Sequence, residues 1–320
     1  MHIVIPDDYQ NAVRGLECFH KLDGHRVTVF RDTVRDLDSL ARRFEDADAL
    51  VLIRERTSIT AELLDRLPKL RLISQTGRGT GHIDLAACRR HGVTVAAGSG
   101  SPHAPAELTW ALVLAAMRHV PREVERMRRG EWQGSLGTGL RGRMLGIWGY
   151  GKIGTLVAGY GRQFGMTVLV WGREGSRARG AADGHLVVSG PDQLFEESDV
   201  LSLHLRLTAD TRGVVSGQAL GRMKPTSLLV NTSRAELIEH GALERALGLG
   251  RPGMAAVDVY QEEPVVGGAH PLLKLDNALC TPHLGYVEQD TYELYFGQAF
   301  DRVLAFASGR LAPGGPGSGS

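Results

Sequence analysis

The sequence predicts an α/β protein built from two parallel-sheet units, and three observations predict it. Short apolar runs alternate with stretches of helical spacing along nearly the whole chain. One glycine cluster sits where such a run passes into a helix. The alternation pauses once, between residues 101 and 143, at a long helical stretch and a Gly/Trp-rich loop. Strands that alternate with helices at this interval form βαβ units and therefore parallel sheets. A chain of 320 residues exceeds the usual single-domain size and can fill two cores.

In chain order, strands are expected at 2–5, 26–30, 49–53, 70–75 and 93–96, with helices at 38–44 and 61–67. Residues 101–130 read as a long helical segment, with Pro105 and Glu107 suited to its first turn. A second set of strands follows at 144–148, 167–171, 200–204, 227–231, 255–259 and 278–281. Helical spacing returns at 287–308. The tail LAPGGPGSGS, residues 311–320, has the composition of a disordered segment.

Thirty-seven basic against 36 acidic residues give a net charge of +1, which offers no electrostatic reason for nucleic acid or an anionic membrane as partner. The longest apolar stretch, Leu108 to Met117, is too short to span a bilayer. MHIVIPDDYQ enters a strand without the basic and apolar regions of a signal peptide. Cys18, Cys88 and Cys280 lie far apart with no CxxC or Cys/His cluster, so no metal is expected and a reducing, cytoplasmic setting is.

Gly149, Gly151 and Gly154 form GxGxxG between the strand at 144–148 and a helix. The first glycine permits the tight turn, the second lets backbone approach a pyrophosphate, and the third lets helix and strand pack closely. The spacing alone is weak in a chain with 41 glycines, but the strand before it, the helix after it and the strand at 167–171 are in register with a Rossmann-type dinucleotide site. An acid closing that last strand would accept from the adenosine ribose. The chain has Trp171, Gly172 and Arg173 instead, with Arg177 and Arg179 beyond, which favours the 2′-phosphate of NADP(H) over NAD(H).

Three chemically capable residues follow strands of this half. Arg234 comes after LLVN, Glu263 after AAVDVY, and His283 after NALC. Each has a bland reading: Arg234 as a helix-junction cation paired with Glu236, Glu262 as the acidic partner, His283 as a satisfied core histidine. Together with their motifs they carry a resemblance. GIWGYGKIG, SDVLSLHLRLTADTRGVV, LLVNTSRAELIEHGAL, AAVDVYQEEP, TPHLG and the earlier LRLISQTGRGTGHIDLAACRRHGVTVAAG resemble, in order and spacing, the D-isomer-specific 2-hydroxyacid dehydrogenases. The resemblance runs to about residue 308.

That resemblance implies a flavodoxin-like substrate domain (residues 1–98 and 285–310), a dinucleotide-binding domain (99–284), a cleft between them and a homodimer packed through the long helix and the loop around Trp132. It implies hydride transfer between a nicotinamide and a small 2-oxoacid or D-2-hydroxyacid. Arg234 binds the substrate carboxylate, His283 is the acid/base, and Glu263 is its partner; a carboxylate beside an imidazole stabilises the protonated ring. Gly77, Arg78 and Gly79 form the loop that holds the carboxylate. Tyr150, Lys152, Ile153, His204, Leu205, Thr232 and Asp258 stand at cofactor positions.

The chain departs from the family pattern at Arg206, Arg78, Gly81 and Gly285–Tyr286. Arg54 and Arg56, after the strand at 49–53, are candidates for a second anionic group on the substrate, with solvated loop arginines as the competing reading. A non-enzymatic NAD(H)-binding corepressor and a phosphite dehydrogenase are the alternatives on the same scaffold. Formate oxidation fits poorly, because it needs no acid–base pair.

Overall fold

A computed structural model describes residues 1–311. The expected disorder at 311–320 falls, apart from Leu311, outside the described residues. The chain divides into two compact units: Met1–Ser101 with the chain from Glu288 onward, and Pro102–Val287.

The first unit holds β1 (His2–Ile5), β2 (Arg26–Val29), β3 (Ala49–Leu52), β4 (Leu72–Gln75) and β5 (Thr94–Ala97), all parallel in the order β2-β1-β3-β4-β5. This is the doubly wound flavodoxin-type order. β3 and β4 are buried at every position, as central parallel strands covered on both faces must be. Side-chain oxygens of Asp36, Thr60 and Asp84 cap the helices at 37–44, 61–64 and 85–90. The helix Gln289–Ala307 packs on this sheet, where the Ser74 hydroxyl donates to the Ala299 carbonyl at 2.9 Å.

The second unit holds β6 (Met144–Trp148), β7 (Thr167–Trp171), β8 (Leu186–Val187), β9 (Val200–Leu203), β10 (Leu228–Asn231), β11 (Met254–Val257) and β12 (Ala278–Cys280). Their order is β12-β11-β10-β9-β6-β7-β8, again all parallel. Leu228, Leu229 and Val230 are fully buried, each contributing roughly 1.5–3 kcal/mol. The register places Cys280, Val257, Asn231, Leu203, Trp148 and Trp171 side by side in one row. Six of the seven strands, all but β8, end there, at the carboxyl edge where open α/β sheets bind ligands.

Residues 101–130 form two helices, His103–Met117 and Val120–Arg128, broken at His119 in the left-handed region (φ 55°). Pro121 is the cause, because its ring cannot sit one turn above the Met117 carbonyl. That carbonyl accepts instead from the Thr138 N–H at 2.7 Å. No helix among the described residues is long and apolar enough to cross a membrane.

Candidate active site

The residues that follow the registered row are the candidate site. β10, β11 and β12 are neighbours whose ends are level, so the loops bearing Arg234, Glu263 and His283 leave the sheet from adjacent positions. His283 Nδ1 lies 2.6 Å from Glu263 Oε2, and both side chains are largely shielded, at 18% and 15% exposure. The second oxygen of Glu263 accepts the Tyr260 N–H at 2.9 Å, which fixes the carboxylate plane. Glu262, the other candidate partner, is exposed. With Nδ1–H donating to Glu263, Nε2 is the nitrogen left to exchange a proton with a ligand.

His283 sits at φ 53°, an uncommon conformation for a residue with a side chain. Asp258 holds the loop in it. Its Oδ1 accepts from the Thr281 hydroxyl and the Leu284 N–H, both at 2.7 Å, and its Oδ2 from the Gly285 N–H at 2.9 Å. Burial pushes the Asp258 pKa up, with these hydrogen bonds and the His283 charge opposing the shift. The Tyr286 ring stands edge-on to His283 at 5.5 Å and is itself buried.

The Arg234 loop is clamped by its own strand end. The Asn231 amide donates to the Arg234 carbonyl at 2.9 Å and its oxygen accepts the Ser233 N–H at 3.1 Å, while the Ser233 hydroxyl reaches the Leu203 carbonyl of β9. The guanidinium donates through Nη1 to the Ser233 carbonyl at 2.8 Å. Thr232 pairs through its hydroxyl with Thr109 at 2.7 Å.

At the point where the strand order reverses, between β6 and β9, lies the glycine turn. Gly149 has φ 102°, and a Cβ there would stand 2.6 Å from the His204 carbonyl oxygen. A Cβ on Gly154 would strike the carbonyl of Gly149. Gly151 differs: it is exposed, has ordinary φ of −99°, and a Cβ on it would meet nothing within 4 Å. The fold itself requires two of the three glycines. The third leaves open space before the N-terminus of helix 152–163, the room and polarity a pyrophosphate needs. The residues present thus fit a dinucleotide.

The remaining cofactor candidates fall around this turn. Lys152 is exposed and Ile153 half-buried. Tyr150 is 1% exposed, so only its backbone faces the turn; its hydroxyl donates to Asp183 Oδ2 at 2.6 Å. His204 pairs with the Ser202 hydroxyl at 2.9 Å, and desolvation pushes its pKa down to about 4, leaving it neutral. Leu205 packs on the Gly149 side. Gly172 opens the end of β7, with Arg173 exposed and starting the helix Glu174–Ala182. Arg177 lies over the Trp171 ring at 5.0 Å. Arg179, grouped in sequence with the arginines near the 2′-phosphate position, instead donates to the Tyr150 carbonyl at 2.9 Å.

In the first unit, Gly77, Arg78 and Gly79 follow β4. A Cβ on Gly77 would strike the Arg54 guanidinium, and one on Gly79 the Glu55 carboxylate. Arg54 is also left-handed (φ 54°), held by its N–H on the Thr76 hydroxyl at 3.1 Å and by its carbonyl on the Gln75 amide at 2.6 Å. Arg78 is exposed. Arg56 lies near Asp7, whose carboxylate accepts from Thr33 and Thr57. The Glu55 packing was invisible in sequence, where only the arginines stood out.

The model of the D-isomer-specific 2-hydroxyacid dehydrogenase NAD-binding domain matches residues 110–285. The chain is 37% identical over 287 residues to a glyoxylate reductase of Aeropyrum pernix, covering 86% of this chain and 84% of that protein. It is 35% identical over 278 residues to a D-3-phosphoglycerate dehydrogenase of Methanocaldococcus jannaschii, covering 86% of this chain but 52% of that protein. A crystal structure of a phosphoglycerate oxidoreductase from Vibrio cholerae O395 superposes with a TM-score of 0.94 at 54% identity, over 96% of this chain and 99% of that one.

Proposed function

The chain belongs to the D-isomer-specific 2-hydroxyacid dehydrogenase family, and from that premise we propose how its own residues carry the reaction. It is a nicotinamide-dependent oxidoreductase acting on a small D-2-hydroxyacid or 2-oxoacid. Held at the turn of Gly149, Gly151 and Gly154, a dinucleotide would supply or accept the hydride exchanged with substrate C2. Arg234 binds the substrate carboxylate and draws charge from the keto group. His283 delivers a proton from Nε2 to the keto oxygen in reduction and takes it back in oxidation, while Glu263 fixes the ring through Nδ1. The single observation behind these roles is the 2.6 Å His283–Glu263 pair, with the second Glu263 oxygen tied to the backbone.

Gly77, Arg78 and Gly79 are assigned the substrate loop, with residues 1–98 and 285–310 as the substrate side and 99–284 as the cofactor side. Arg54 and Arg78 suit a substrate with a second anionic group, a reading supported by the phosphoglycerate names of two of the relatives. The glyoxylate reductase relative supports a smaller one. NADP(H) is favoured over NAD(H), because no carboxylate closes β7 and Arg173 opens the helix beyond it. Exposed Val120, Val124, Met127, Trp132 and Leu136, on the helix Val120–Arg128 and the loop after it, support a homodimer through that segment, and three free thiols support a reducing, cytoplasmic setting.

The test is consumption of NADPH and of NADH by the purified protein with glyoxylate, hydroxypyruvate and phosphohydroxypyruvate in turn. Turnover with at least one pair is expected, and preference for the phosphorylated acid would assign Arg54 and Arg78 the second anion. Tight dinucleotide binding with no turnover on any 2-oxoacid would reject the enzymatic roles.

A further inference from the structure

The glycine turn has an unassigned support on the neighbouring helix. Arg179 projects from the last turn of Glu174–Ala182, and its Nη2 donates to the Tyr150 carbonyl at 2.9 Å, with the Ser176 hydroxyl at 3.5 Å. That carbonyl belongs to the peptide joining Tyr150 to Gly151, which is trans. In a trans peptide the C=O and the following N–H point in opposite directions. A guanidinium that holds the carbonyl on one side therefore aims the Gly151 N–H to the other. The Gly151 N–H has no acceptor among the described residues, and the space a Gly151 Cβ would enter is open.

The alternative orientation would be unfavourable for an anion. A carbonyl oxygen turned into the turn would repel a pyrophosphate, whereas an N–H attracts it. Residue 150 is held a second time from the same helix: its buried hydroxyl donates to Asp183, the residue just past the helix end, and burial pushes the phenol up to about 12, so it stays a donor. Gly172 and Ser176 complete the contact. A Cβ on Gly172 would lie 3.2 Å from Ser176 Cβ and 3.8 Å from Gly149 Cα.

We propose that Arg179 is a positioning residue for the dinucleotide: by holding the Tyr150 carbonyl it presents the Gly151 N–H to the pyrophosphate and ties the helix begun at Arg173 to the glycine turn. This rests on the dinucleotide assignment given above. It differs from a direct role for Arg179 at the 2′-phosphate, because an oriented peptide serves NADH, NADPH and any adenosine diphosphate alike.

The test is the dissociation constant of NADH, NADPH and ADP for wild type and for Arg179→Ala, with steady-state kinetics at saturating cofactor. Arg179→Ala is expected to weaken all three ligands by a similar factor, about tenfold for one lost charge-assisted hydrogen bond. The kcat at saturation should stay within about twofold, and Arg179→Lys, which keeps a cationic donor, should recover part of the affinity. Loss confined to NADPH would overturn the proposal and place Arg179 on the 2′-phosphate. Unchanged affinity for all three would overturn it as well. If Arg179→Ala does not fold, Arg179→Met is read by the same criteria. A wild-type protein that binds none of the three would instead overturn the dinucleotide assignment itself.

Discussion

Two glycine loops leave the carboxyl edges of two parallel sheets, and they use glycine for opposite ends. In the loop after β4, a Cβ on Gly77 or Gly79 would meet only the mobile ends of the Arg54 and Glu55 side chains of the same unit, which can move aside at small cost. In the turn after β6, Gly149 and Gly154 make way for backbone, and Gly151 makes way for nothing in the protein. The first loop is lined by charged side chains, and the second leaves room beside Gly151 at a helix N-terminus. A glycine that the fold does not need is the stronger sign of a ligand.

The comparison breaks most visibly at the charged groups. Arg234→Met is expected to lower kcat/KM by roughly a hundred- to thousandfold, the scale for removing a fixed countercharge. Dinucleotide affinity should hold, and a fall in affinity of the same size would return Arg234 to a structural role. Next come the two glycines of the turn. Gly154→Ala should cost about 1–3 kcal/mol of stability, because backbone must shift. Gly151→Ala should leave the melting temperature unchanged yet weaken dinucleotide binding about tenfold or more. Equal thermal losses in the two variants would dissolve the distinction.

In the first loop, Gly77→Ala should destabilise the protein only while Arg54 is present. A double-mutant cycle with Arg54→Ala is expected to give a coupling of about 1 kcal/mol, and additive effects would remove that contact from the account. Arg173→Ala should weaken NADPH about tenfold more than NADH, judged by titrating each. Smallest is a pH effect. The His204 pKa falls from 6.5 in the unfolded chain to about 4 in the folded one. The unfolded state then binds more protons in that window, so His204 contributes stability above pH 6.5 that is lost as the pH falls towards 4. His204→Gln should flatten the decline in melting temperature across that range relative to wild type.

Much of this was legible in the sequence, for physical reasons that differ by residue. β6 and β7 were readable to their bounds because buried parallel strands are unbroken apolar runs. β8 was not, because two exposed residues carry no pattern. The helix at 101–130 looked continuous because its periodicity outweighed one proline, whose effect depends on where Met117 finds a new donor. Arg234, Glu263 and His283 were visible as three capable residues after three strands, and their roles came from the resemblance their motifs carry. Asn231 as the clamp of the Arg234 loop and Arg179 as the support of the turn were not, since a side chain bonding a distant carbonyl leaves no spacing to read.

The most direct measurement of the central claim is turnover and cofactor affinity for His283→Ala in the same preparation. The pairing with Glu263 predicts a fall in kcat of about a hundredfold or more, with the dinucleotide dissociation constant unchanged. Turnover within about twofold of wild type would contradict it, and would leave the imidazole a packed side chain at the end of a strand.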